Sequence, residues 1–345
     1  MKKMFALLLA LVMVLSLAAC ASSQPAAAST ETAETTETTE PAAEESAEAP
    51  AESGKTYTVG VCQLVQHEAL DAATQGFVDA LTEELGDAVT VDVQNASGDS
   101  VNCGTIVNGF VSKGVDLIMA NATPALTAAV SATADIPILG TSITAYGVAL
   151  DIDDFNGTVG GNVSGTSDLA DLQAQAQMIL DWFPETKTVG LLFCSAEPNS
   201  RYQIDEVRKA LEAQGVTCEE FAFTDSNDVS SVTQKAADFS DVVYIPTDNT
   251  AASNTEAIAN VLIPAGVPAI CGEEGLCRGC GVATLSISYY DLGVTTGKMA
   301  AKILKGEADI STMPVEYTDA TPKYNASVCE QLGITPLDGY EAIDG

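Results

Sequence analysis

Apolar and polar positions divide the chain into three stretches. Behind Lys2 and Lys3, residues 4–19 are almost all apolar. Residues 21–54 carry almost no side chain large enough to pack. From Lys55 onward, short β-rich runs alternate with amphipathic segments. Residues 57–62 (YTVGVC) predict a strand. Leu70, Ala73, Phe77, Leu81 and Leu85 recur at three- and four-residue spacing, which predicts one packed face of a helix over Glu68–Leu85. AVTVDV then predicts a strand, residues 100–112 a helix, VDLIMA a strand, residues 124–133 a helix and IPILG a strand. Apolar strands bounded by helices imply a parallel sheet covered on both faces.

The series restarts after the Gly/Asn/Ser-rich residues 156–167, whose Gly157, Gly160 and Gly161 read as a flexible crossing. Leu169, Leu172, Ala176, Ile179 and Phe183 form a helical stripe, and TVGLLF follows as a strand. Ser200 and Gln203 have capping-box spacing ahead of the Ile204, Val207, Leu211 stripe. VTCEEFAF, a helix from Asp228, DVVYIP, a helix from Thr250 and VPAI continue the alternation. YTVGVCQ and KTVGLLFC open the two halves alike, so two similarly built lobes are expected. GVATLSIS predicts a further strand, residues 289–304 a helix, and MPVEYTD a strand-like run before a short helix ending at Gly333. If these pieces complete both sheets, the chain crosses between lobes more than once; the alternative is two independent domains on one linker. The expected fold is α/β: two Rossmann-like parallel-sheet lobes on a multiply crossed hinge, residues 55–163 with 282–312 and residues 164–281 with 313–345.

Charge narrows the partners. The 345 residues carry 14 Lys+Arg against 48 Asp+Glu, a formal net charge of −34. Nucleic-acid binding needs clustered basic side chains that release counterions, so nucleic acid and polybasic membrane docking are excluded. The basic head, apolar centre and small-residue exit of residues 1–19 read as a secretion signal. Leu17-Ala18-Ala19-Cys20 resembles the lipobox of bacterial lipoproteins, which implies cleavage before Cys20 and an acylated, membrane-tethered N-terminus; a plain signal peptide or an uncleaved anchor are the alternatives. Residues 20–54 hold eight Glu and no Lys or Arg, and they read as a disordered, self-repelling tether. The folded part keeps its acidity, with 40 acidic residues against 12 basic.

In an open parallel sheet, ligands bind beyond the carboxyl ends of the strands, where loops and helix N-termini converge. That rule selects Gln66 and His67; Asn121, Thr123 and Pro124; Thr141, Ser142 and Thr144; Glu197, Asn199 and Ser200; Thr247, Asp248 and Asn249; and Glu273 with Glu274. Hydroxyls, amides and a few carboxylates suit a polar or zwitterionic solute, although Thr123, Asn199 and Asn249 also read as turns or caps. His67 is the only histidine, which removes a His-rich metal centre. Without a G-x-S-x-G elbow a nucleophilic relay has no partner, so His67 lines a ligand site or serves structure. Neither G-x-G-x-x-G after a strand nor G-x-x-x-x-G-K-[ST] is present, which argues against nucleotide chemistry. Cys271, Cys277 and Cys280 form a C-x5-C-x2-C cluster open to three readings: a disulfide, a metal site or reduced thiols. Cys62 and Cys194 fall on core strands, where cysteine acts as a small apolar residue.

GVCQLVQHEALDAATQGFVDAL, NASGD, VDLIMANATPA, DIPILGTSIT, GGNVSGTSD, VGLLFCSAEPNS, VYIPTDNTAAS and ATLSISYYDLGVTTGKMAAKILKG are similar, in order, to the bacterial ABC-transporter substrate-binding proteins of the tryptophan/tyrosine-binding type. The resemblance spans residues 55–333. It implies the type I periplasmic-binding-protein fold, three crossovers and a cleft that holds an aromatic or other small amino acid for delivery to a permease and ATPase. Residue by residue it implies Thr123, Pro124, Thr141, Ser142, Asn199, Ser200, Asp248 and Asn249 as cleft residues. Hydroxyls and helix-end N–H groups would receive the ligand carboxylate, and Asp248 or Glu273 its ammonium. Two departures are visible: Ala145-Tyr146 stands where relatives commonly have Asp-Pro, and residues 272–281 form an unusual Gly- and Cys-rich loop. The expected protein is a monomeric, non-enzymatic, lipid-anchored receptor without cofactor or metal. A receptor for a nucleoside or sugar is the first alternative, although the single Trp, Trp182, lies toward a lobe face, away from the cleft. An enzyme using His67, Asp248 or Glu273 as acid–base groups is the second.

Overall fold

The computed structural model describes residues 54–343. The signal, Cys20 and all but the last residue of the tether lie outside the described residues. In chain order the first series is β1 (Tyr57–Gln63), α1 (Glu68–Leu85), β2 (Val89–Asn95), α2 (Ser100–Lys113), β3 (Leu117–Asn121), α3 (Thr123–Ala132), β4 (Ile138–Ile143), α4 (Tyr146–Ala149) and β5 (Val163–Ser167). The second is α5 (Leu172–Trp182), β6 (Thr188–Cys194), α6 (Pro198–Glu212), β7 (Thr217–Phe223), α7 (Val229–Phe239), β8 (Val242–Ile245), α8 (Asn249–Ala252), α9 (Thr255–Ala265), β9 (Ala269–Cys271), α10 (Glu274–Cys280) and β10 (Ala283–Ser286). The chain closes with α11 (Tyr289–Lys305), β11 (Glu316–Tyr317), β12 (Thr321–Tyr324), α12 (Ala326–Leu332) and β13 (Glu341–Ala342).

The strands build two sheets, ordered β2-β1-β3-β4-β5-β11 and β7-β6-β8-β9-β10-β12-β13. The expected repetition is literal, since β1 and β6 occupy the same position in each sheet. All pairs of the first sheet run parallel; in the second only β10 and β12 are antiparallel. Interior strands β3, β4 and β8 are buried along their whole length, whereas edge strands β2 and β7 mix exposed positions with half-buried or, near the end of β7, buried ones. Each sheet is sandwiched between apolar layers. Phe110 and Leu126 cover one face of the first sheet, and Phe77, Leu81 and Met299 the other. Phe193, Tyr244 and Ile204 lie in one layer of the second, Phe223, Ile245 and Leu262 in the other.

Three segments connect the sheets: residues 168–171, 287–288 and 318–320. The boundaries expected from sequence shift accordingly. Residues 163–167 form β5 of the first sheet, so the Gly/Asn/Ser-rich stretch is not wholly a crossing. Residues 283–286 belong to the second sheet, and residues 316–317 return to the first. After the second crossing, α11 lies on α1 backbone to backbone. A Cβ on Gly293 would sit 2.0 Å from the Ala73 carbonyl oxygen, and one on Gly76 2.1 Å from that of Tyr290. The Lys305–Glu84 pair, 2.7 Å, and the Tyr290 hydroxyl donating to Asp79 at 3.0 Å bind the same two helices.

Three local expectations change. The Gly- and Cys-rich residues 272–281 contain a helix, α10, because the Glu273 side chain caps its first N–H groups. The Ser200–Gln203 capping box is absent: α6 begins at Pro198, whose fixed φ suits the first helical position, and both side chains are buried within the helix. The helix expected from Thr250 is split into α8 and α9.

Candidate functional site

Both sheets reverse their strand order beside the first strand, between β1 and β3 and between β6 and β8, and these switch points face each other. The end of β4 and the loops after β1, β4 and β5 bring Ser142, His67, Thr144 and Asp168 to a narrow cavity of about 10 Å³. Loops after β6, β8 and β9 bring Asn199, Asp248, Asn249 and Glu273 to its opposite wall, and Tyr289 enters from the second crossing. Leu70 and Ala252 supply apolar surface. A volume of about 10 Å³ is room for roughly one water molecule, so the walls must part to admit a solute.

Of the residues expected from sequence, His67, Ser142, Thr144, Asn199, Thr247, Asp248, Asn249 and Glu273 line this cavity. Gln66 is exposed at one outer opening and Pro124 lines the other. Thr123 is buried at the start of α3. Thr141 points into the sheet, its hydroxyl 3.1 Å from that of Thr166. Ser200 is fully buried behind the cavity wall.

The three carboxylates differ in what they hold. Asp248 is committed within the chain: one oxygen accepts from the Ala251 N–H at 2.8 Å, the other from the Cys194 N–H at 2.6 Å. Burial, then the neighbouring Glu197 carboxylate, pushes its pKa up to about 8. Glu273 accepts from the Gly275 N–H at 2.6 Å and from the Leu276 N–H, and burial raises it to about 7. Asp168 is equally buried, and burial raises its pKa as well. Its Oδ2 accepts from the Tyr289 hydroxyl at 2.9 Å, whereas its Oδ1 makes no hydrogen bond of normal length, although the Thr144 side chain lies near enough to favour the charged form. Ser142 Oγ and Asn199 Oδ1 are likewise buried and unpartnered. No Lys or Arg lines the cavity.

Asp168 is absent from the sequence-derived set, although the rule that found the others applies to it. It follows β5 directly, and the small-residue composition of that strand concealed the strand end. Of the longer helices, α1, α3, α6, α7 and α9 start without a side-chain cap, whereas α2, α5 and α11 are capped by Asp99, Asp171 and Ser288; of the uncapped ones, α1 and α6 begin at or beside the cavity residues His67 and Asn199. Bare N-termini leave N–H groups and partial positive charge for an anionic group.

Two polar contacts bridge the sheets across the opening. His67 Nε2 lies 3.3 Å from Asn249 Oδ1, and burial lowers the His67 pKa, keeping the imidazole neutral. Asn249 is itself fixed by Glu197, which accepts from its Nδ2 at 2.6 Å and its N–H at 3.0 Å. Next to His67, Glu68 pairs with Arg278 of α10 at 3.0 Å.

Residues 58–339 match the family model described as ABC transporter substrate binding protein. The chain belongs to this family. A relative named tyrosine-binding protein, from Clostridioides difficile (strain R20291), is 32% identical over 276 residues, covering 78% of this chain and 79% of that one. An ABC domain in complex with L-Trp from Streptococcus pneumonia superposes with a TM-score of 0.79 at 32% identity, over 84% of this chain and 100% of that chain. A ligand-free, open substrate binding protein with adhesive properties from Clostridium difficile gives 0.64 at 33% identity, over 84% and 99%. At nearly the same identity and coverage, the chain superposes better on the complexed relative than on the open one. The ABC transporter substrate-binding chain is therefore an extracytoplasmic solute receptor of type I fold and not an enzyme. Membership implies a small-molecule ligand and a permease–ATPase pair as its partners.

Neither Ala145 nor Tyr146 lines the cavity, and Trp182 packs edge-on to Tyr340 with ring centroids 5.1 Å apart, away from it. The eight cysteines of the described residues are free thiols, and no group of three or more His, Cys, Asp or Glu among those residues is arranged to hold a metal ion.

Proposed function

We propose that this receptor captures a single small amino acid, aromatic or apolar in its side chain, and presents it to an ABC permease while Cys20 holds the protein to the membrane through lipid. The ligand ammonium sits against Asp168 Oδ1, with Asn199 Oδ1 as a second acceptor. The carboxylate is received by the Ser142 hydroxyl and the bare N-termini of α1, α3 and α6. Leu70, Ala252 and the Tyr289 ring flank the side chain. The two sheets act as lobes that close over the ligand about the three crossings.

One observation carries this reading: a buried carboxylate oxygen without a partner, in a cavity lined by no cation. A buried unpaired charge is unfavourable by several kcal/mol, and a ligand cation removes that penalty. The tyrosine and tryptophan in the names of two relatives support an aromatic amino acid. Isothermal titration calorimetry against L-tyrosine, L-tryptophan, other amino acids, nucleosides and sugars tests it. Saturable binding of an aromatic or apolar amino acid is expected; silence toward all amino acids with binding of a nucleoside or sugar would overturn it.

A further inference from the structure

We propose that Tyr146 is a positioning residue for ligand capture: its buried hydroxyl seals the bulge between β4 and β5 and so holds Ser142 toward the cavity. The inference rests on the amino acid reading above, in which Ser142 receives the ligand carboxylate.

The two strands pair in step from Ile138 opposite Val163 to Gly140 opposite Gly165, and resume at Ile143 opposite Ser167. Between those points β4 has two residues, Thr141 and Ser142, where β5 has only Thr166. One residue of β4 is therefore extra, which defines a bulge, and bulges re-aim side chains at the ends of strands. Ser142 adopts φ of +55°, a left-handed conformation unfavourable for a residue bearing a Cβ. Something local must hold it there.

A bulge also strips ladder donors from nearby carbonyl groups. The Tyr146 hydroxyl lies 3.0 Å from the Gly140 oxygen, 3.2 Å from that of Thr166 and 3.5 Å from that of Ser164. With one proton it donates to one oxygen at a time, Gly140 being nearest. Space for it exists because its two neighbours have no side chain: a Cβ on Gly140 or Gly165 would lie 2.5 or 2.4 Å from the hydroxyl oxygen. The ring stacks on Phe155, with centroids 6.3 Å apart and planes at 17°. Phenol, two glycines and bulge thus form one unit, with Ser142 on its cavity side.

Tyr146→Phe removes the hydroxyl and keeps the ring. Calorimetry with L-tyrosine and L-tryptophan should show binding weakened about 5- to 30-fold, as for loss of a donor to a buried carbonyl group. In a Ser142→Ala background the same substitution should add less than about twofold, because the group it positions is already gone. Amide hydrogen exchange at residues 141–143 should accelerate in the ligand-free variant. Phe155→Leu, which loosens the ring without touching the hydroxyl, should shift affinity in the same direction by less. Unchanged affinity in Tyr146→Phe, or an equal loss in both backgrounds, would overturn the proposal. If the wild type binds no amino acid, the functional reading fails, and the exchange rates alone decide: identical rates at residues 141–143 in wild type and Tyr146→Phe would show that the hydroxyl does not hold the bulge.

Discussion

Asp168→Asn changes one oxygen of the cavity to an amide and little else. Asn keeps the shape of Asp and can still accept from the Tyr289 hydroxyl, so the contact between the first and second crossings survives. The group presented to the ligand ammonium loses its charge. Removing one partner of a buried, hydrogen-bonded charge pair costs about 2–5 kcal/mol, or about 30-fold to a few thousand-fold in Kd. Stability should move the other way. The folded-state pKa of Asp168 is raised by burial, so the folded protein holds this proton more tightly than the unfolded chain. The resulting penalty is absent below the unfolded value of about 3.9 and develops as pH rises through the folded one. At pH 7, ligand-free Asp168→Asn should therefore melt at the same temperature as wild type or higher, and the advantage should vanish near pH 3.5. Calorimetry and thermal melts on one preparation read both effects. An analogue lacking the amino group, 3-(4-hydroxyphenyl)propionate, should discriminate poorly between the two proteins. A Kd within about threefold of wild type, or a marked fall in ligand-free melting temperature, would refute the assignment.

Other expectations follow from particular contacts. The Glu68–Arg278 pair is half-exposed, so Glu68→Gln should accelerate ligand release by no more than about fivefold in stopped-flow displacement, an effect lost in 1 M salt; a persistent effect would point to a role other than the ion pair. Asp248 and Glu273 have folded pKa values of about 8 and about 7, above their unfolded values, so stability should decline between about pH 4 and pH 8. Urea midpoints across that range should fall less steeply in Glu273→Gln, and an unaltered slope would contradict the shift. Gly293→Ala forces a methyl group against the Ala73 carbonyl oxygen and should destabilise by about 1–3 kcal/mol or more in urea, because backbone on both helices must move; a neutral effect would mean that α1 and α11 part easily.

Legibility of the fold in the sequence followed side-chain size. Helix α1 is placed to the residue, because Leu70, Phe77 and Leu81 are large and recur with helical period. Strands β1 and β6 are equally plain, as apolar runs with matching openings. Strand β5 was hidden because VSGTS has one bulky residue, and its smallness has a structural cause: Gly165 leaves room for the Tyr146 hydroxyl. Losing β5 moved the first lobe boundary and removed Asp168 from view. Helix α10 was hidden for another reason: its glycines and cysteines have poor helical tendency, and the cap from Glu273 together with burial of Leu276, Cys277 and Cys280 overrides it. Within the site, strand-end position located eight cavity residues but not their duties. Asp248 and Glu273 look alike in sequence to a free acceptor, and only the backbone N–H groups around them show that their oxygens are engaged. Such partners depend on loop geometry, which residue spacing does not encode.

The central claim is that an amino acid lies between the two sheets with its ammonium on Asp168. A crystal structure of the protein grown with L-tyrosine or L-tryptophan tests it most directly. The ligand nitrogen should lie within hydrogen-bond distance of Asp168 Oδ1, with the carboxylate near Ser142 and the start of α3. A ligand outside this cavity, or an ammonium resting on Asp248 or Glu273 with Asp168 turned away, would contradict it.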